Sequence, residues 1–119
     1  MKIVIDKVTS EPGHSLTKKD IKLVLKHIPK EWIGSANIFR LTSQMFEKSK
    51  WPRSVIYNAP TYIIMSRGID RNVVIKEFLI ELAITPTIGS SRSAHSLDKE
   101  QIKKIEEVIE PLYLKITTF

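Results

Sequence analysis

The run Phe78-Leu79-Ile80-Glu81-Leu82-Ala83-Ile84 holds one glutamate inside an otherwise apolar stretch. A carboxylate in that setting could act as a general base, provided something nearby supplied an acidified water or a second titratable group. Glu77 stands one turn before Glu81, and two carboxylates at that spacing repel by a few tenths of a kcal/mol, about what an i, i+4 pair is worth. Arg67, Arg71 or Arg92 could relieve the pair. With Lys76 beside them, Glu77 and Glu81 read as the solvated edge of a mostly buried helix. The three histidines, His14, His27 and His95, show no ligand spacing with one another. His95 is the one that could join Glu81 as acid and base, if both shared a cleft. Ser90, Ser91 and Ser93 lie close to His95, without the strained strand-to-helix elbow that exposes a nucleophilic serine. Neither Gly68 nor Gly89 belongs to a phosphate-cradling pattern. Cysteine is absent, so disulfides, thiolate metal sites and cysteine nucleophiles are excluded together.

The helix that must carry Glu81 is read over about 71–84, from a cap at Asp70 to a stop at Pro86, and it is apolar on most sides. Before it, SVIYNAPTYIIMSRG divides around Asn58-Ala59-Pro60 into two short strands, with Pro60 at a sheet edge or bend. KIVIDKV (2–8) alternates Ile3 and Ile5 with charged neighbours as a half-buried strand does, and NIFRLTS (37–43) is a further strand. Thr17 and Asp20 form a capping box ahead of Ile21, Val24, Leu25 and Ile28, which predicts an amphipathic helix over 18–28 ending at Pro29. KEWIGS is then a turn with Trp32 and Ile33 packed beneath it.

TPTIGSSRSAHS reads as a flexible linker. Asp98 with Gln101 then caps a last helix whose stripe is Ile102, Ile105, Val108, Ile109 and Leu112, and Pro111 is expected to kink or shorten it. The fold class is α+β in a single domain over 1–119. It comprises a small mixed sheet of about four strands, an amphipathic helix near the N-terminus, a buried apolar helix and a C-terminal helix.

An apolar helix bearing x-Glu-Leu-Ala-x, entered from the strand run TYIIMSRG and followed by a loop and a second long helix, resembles a minimal zincin metallopeptidase domain. The capped helix ending LKHIPKEWIG and the strand after it stand in the order such domains use. The resemblance covers most of the chain in topology, and its only motif is five residues long. It implies that Glu81 occupies the general-base position of H-E-x-x-H and that Ile80 and Ile84 occupy its two ligand positions. In that motif the histidines at i and i+4 reach one zinc from one helical face, and the glutamate takes a proton from the metal-bound water. Isoleucine offers no lone pair. The resemblance therefore implies a degenerate metallopeptidase: no metal, no cofactor, no catalytic residue beyond the vestigial Glu81, and a role as a structural or partner-binding module.

Charge supplies the alternative from a different class. The net charge is +6. Residues 1–60 carry eleven Lys or Arg against five Asp or Glu, and residues 61–119 carry eight against eight, so the whole excess lies in the first half. A basic half suits nucleic acid or an acidic surface. In KSKWPRSVIY, Lys48, Lys50 and Arg53 interleave with Trp51 and Tyr57, a pattern in which aromatics stack on bases while cations follow phosphates. Lysine dominates over arginine, which favours an ordinary solvated surface. No stretch approaches the roughly 20 apolar residues of a membrane span, and the chain opens without a signal-peptide core. A cytoplasmic protein with an unnamed protein partner is expected, and an exposed strand edge would also suit a symmetric homodimer.

Overall fold

The structure, a computed structural model, describes residues 1–45, 53–89 and 97–118. In chain order it contains strand β1 (Lys2–Ile5), helix α1 (Lys18–His27), a single 3₁₀ turn (Lys30–Trp32) and strands β2 (Ile38–Leu41), β3 (Val55–Asn58) and β4 (Thr61–Ile64). Helices α2 (Arg71–Ile88) and α3 (Lys99–Thr117) complete it. The four strands form one mixed sheet in the order β1-β2-β4-β3. β1 runs parallel to β2 and β2 to β4, while β3 pairs antiparallel with β4. The α+β class expected from the sequence is the observed one.

Local chemistry sets most boundaries. Thr17 and Asp20 cap each other's backbone N–H groups at the start of α1, at 2.9 and 3.2 Å. Ile28 is extended (φ −95°, ψ 155°) ahead of Pro29, as the proline ring requires of the residue before it, and α1 stops there. Asp98 and Gln101 repeat the box at the start of α3. The turn between β3 and β4 is Ala59-Pro60, and the Pro60 carbonyl accepts from Asn37 and Ile38, tying the hairpin to β2.

One expected stop fails, and one helix is not shortened. α2 passes Pro86 and continues to Ile88, so Thr85–Ile88 are helical rather than linker. It ends at Gly89, whose left-handed φ of 74° is open to glycine and whose N–H bonds to the Thr85 carbonyl. Pro86 is exposed in the last turn of the helix. α3 runs through Pro111 to Thr117. Pro111 and Glu107 both lie on its exposed face, so the carbonyl that the proline leaves without a helical donor is turned to water.

The sheet buries Phe39, Leu41, Tyr62, Ile64 and Val55 in one core with α1 (Ile21, Val24), α2 and α3 (Ile105, Ile109, Ile116). Trp32 and Ile33 pack against this core from the 3₁₀ turn, as expected. α2 packs most extensively on α3 and also meets β3 and the 3₁₀ turn. Two apolar residues placed on inner faces lie outside, Ile5 at 42% exposed at the end of edge strand β1 and Val108 at 41% on α3, and Val73 in the first turn of α2 is 45% exposed as well.

Candidate functional site

α2 positions the residue that prompted the functional question. Asp70 accepts from Asn72 N–H and starts the helix. Seven consecutive residues, Phe78 to Ile84, are buried, which is about two full turns, so every side of the helix is covered there. Ile80 and Ile84 are each 2% exposed. Glu81 is 5% exposed, which corrects its placement on a solvated edge. The period of 3.6 puts Glu81 on a definite side of the helix, but only the tertiary packing decides that this side is covered.

Glu77, one turn earlier, has a separate duty. Its Oε2 accepts from Ser54 N–H at 2.6 Å and Ser54 Oγ–H at 3.0 Å, which fastens α2 to the start of β3. The arginines suggested for relieving the glutamate pair are engaged elsewhere. Arg67 donates to the carbonyls of Pro12 (2.8 Å) and Ser43 (2.6 Å), and Arg71 forks onto Asp20 Oδ1 at 3.0 and 2.9 Å. Arg92 lies outside the described residues.

The neighbour that sequence reasoning missed is Tyr62 on β4. Its ring stacks on Phe39 (centroids 5.6 Å apart) and on Tyr57 (4.4 Å), and meets Phe78 of α2 edge-on at 5.9 Å. Burial, then the negative charge of Glu81, then Tyr57, push the Tyr62 phenol far above the usual tyrosine range. The sequence marked 61–64 as a strand without assigning its faces; the structure turns Tyr62 and Ile64 inward, and the proximity of Tyr62 to a residue on another element was not readable. The site is thus a buried carboxylate within electrostatic reach of a buried phenol, in an aromatic and aliphatic core.

The remaining candidates disperse. His14 Nε2–H donates to the Asp6 carbonyl at 2.7 Å, and its Nδ1 is 3.5 Å from Ser66 Oγ. Ser15 also bonds to Ser66 through both N–H and Oγ–H. This cluster moors the loop after β1 to the end of β4, and Ser66 within it is fully buried. His27 Nδ1–H donates to Leu23 within α1. His95 and Ser90, Ser91 and Ser93 lie outside the described residues, as do Lys48, Lys50 and Trp51. Of the suggested basic-aromatic surface, Arg53 and Tyr57 are described. Both are half-buried, and Tyr57 has one ring face against Tyr62.

Among the described residues no group of three or more His, Asp or Glu could hold a metal ion. The site around Glu81 does not fit zinc: hydrocarbon fills both positions where the zincin motif needs imidazole nitrogens. The described surface hollows lie elsewhere, on α1 and at the junction of α2 with α3. No described helix is long and apolar enough to cross a membrane. Comparisons of the chain with protein-family models, with curated proteins and with solved structures find no match.

Proposed function

We propose that this chain is a zincin-like domain whose H-E-x-x-H site has degenerated, and that it serves as a partner-binding module without zinc hydrolysis. One observation carries the reading: Ile80 and Ile84, at the two ligand positions, are closed into the core on either side of a buried Glu81. Supporting it is the element order strand, helix, strand, strand, strand, helix, helix, with the glutamate-bearing helix entered from the last strand. Where histidines would gain a metal, isoleucines gain burial, about 1.5–3 kcal/mol for each side chain taken fully out of water. Glu81 has no ligated water to deprotonate, so the chemistry of the motif has no starting point.

The test is a peptidase assay on a quenched fluorescent protein substrate, with and without added zinc and with a chelator. The reading expects no turnover in any condition. Hydrolysis that the chelator abolishes, and that Glu81→Gln also abolishes, would overturn it.

A further inference from the structure

Along α1, and beside the first residue of α2, the surface opens into a hollow of about 570 Å³, lined by Lys19, Asp20, Lys22, Leu23, Lys26 and Arg71. A second hollow of about 360 Å³, lined by Met1, Ile3 and Leu25, shares Lys22 and Lys26 with the first. These two lysines stand one turn apart on α1, with Lys19 a further turn back, so all three share one helical face. Since Lys22 and Lys26 line both hollows, they form the divide between them.

The charge on this face is unanswered. Four cations line the first hollow against one carboxylate, and that carboxylate is already used: Asp20 Oδ1 holds Arg71 and Oδ2 holds the cap of α1. Among the described residues no carboxylate stands within ion-pair distance of Lys19, Lys22 or Lys26. Each hollow has an apolar contribution to its lining, from Leu23 on one side and from Ile3, Leu25 and the 71%-exposed Met1 on the other.

We propose that this face of α1 docks an acidic amphipathic segment of a partner protein, with one apolar side chain in each hollow and carboxylates over the Lys22–Lys26 divide. Apolar lining on each side of a cationic ridge gives such a segment both its burial and its charge partners. A phosphate backbone would use the ridge and leave the apolar lining uncovered, and a flat anionic membrane would rest on the rims. Lysine ammoniums, as mobile point charges, suit carboxylates of varied geometry without the bidentate fork that arginine brings to phosphate. This deepens the partner-binding part of the proposed function and rests on it. The zinc question concerns α2, so the two readings can fail separately.

The test is fluorescence anisotropy with a fluorescein-labelled glutamate-leucine peptide whose leucines repeat at i, i+3, i+4 and i+7. Matched peptides carry Gln for Glu or Ala for Leu. The protein is compared with Lys22→Glu/Lys26→Glu and with Lys103→Glu/Lys104→Glu on the exposed face of α3; all four lysines are exposed, and thermal melts check that each variant folds. The expected result is saturable binding weakened at least about tenfold, or 1.4 kcal/mol, by the α1 double variant and by either peptide change, but not by the α3 variant. No binding of the parent peptide, or equal binding by the α1 variant or by the Gln peptide, would overturn the proposal. So would tighter binding of duplex DNA or phosphatidylserine vesicles through the same lysines. Self-association through them, seen by native mass spectrometry in place of peptide binding, would assign the face to a second copy instead.

Discussion

Asp20 joins two helix starts with one carboxylate: Oδ2 accepts the Thr17 N–H that caps α1, and Oδ1 receives the Arg71 fork, at 2.9 and 3.0 Å, from the first residue of α2. Burial alone would raise the Asp20 pKa, but the Arg71 hydrogen bond and the Thr17 backbone N–H outweigh it and hold the carboxyl below the usual aspartate range. A depressed carboxylate stabilises the fold above its unfolded value of about 3.9, and the contribution is lost as pH falls through the folded pKa. Asp6 behaves alike, held down chiefly by its hydrogen bond from Arg40. Asp20→Asn should cost about 1–2 kcal/mol at neutral pH, the range for a lost cap and its partner bond. It should also flatten the acid limb of stability below pH 4, leaving the part due to Asp6. Denaturant midpoints measured against pH decide this; an unchanged acid limb would mean that the pair contributes nothing.

Ile80→His with Ile84→His would write H-E-x-x-H into α2 and should damage the fold. Each change removes a 2%-exposed side chain and places a polar ring in the core, with a combined loss of about 3 kcal/mol or more. Thermal melts without zinc should show a clear drop. An unchanged melting temperature would contradict the packing described around α2.

Tyr62 predicts an alkaline effect. Burial, with the charge of Glu81 second, raises its folded pKa. Stability from the neutral phenol is fully present below the unfolded value of about 10 and is lost as pH rises through the folded one. Tyr62→Phe should therefore flatten the alkaline limb of stability above about pH 10. With Tyr57 and Tyr113 replaced by Phe, Glu81→Gln should bring the tyrosinate absorbance transition down in pH. No movement of that transition would mean that Glu81 and Tyr62 do not interact.

Pro111→Ala should stabilise. It restores the N–H that α3 lacks at mid-length and removes a ring from an exposed helical position, worth about 1–3 kcal/mol because α3 has already adapted to the proline. A lower melting temperature would show that Pro111 makes a favourable contact.

What could be read directly was what depends on residues three or four apart. Thr17 with Asp20 and Asp98 with Gln101 announced two helix starts, and the spacing of Ile21, Val24 and Ile28 announced the inner face of α1. Pro86 misled because the local rule says stop, whereas α2 continues to Ile88 and ends at Gly89; at Pro111 the expected shortening does not occur, and α3 runs on to Thr117. The site was legible as a pattern and illegible as an environment. Glu81 stands in the sequence as an isolated charge; its burial follows from the sheet and α3 closing around α2. The Asp20–Arg71 pair spans 51 residues, and Tyr62 comes near Glu81 only through the packing of β4 on α2. No periodicity encodes such contacts.

The proposal that α2 holds no metal site is tested most directly by native mass spectrometry of the purified protein before and after one equivalent of zinc. The account predicts a metal-free mass that zinc leaves unchanged, because Ile80 and Ile84 offer no donor. A stoichiometric zinc adduct, lost on replacing Glu81 or His95, would contradict it and restore a hydrolytic metal centre as the reading of α2.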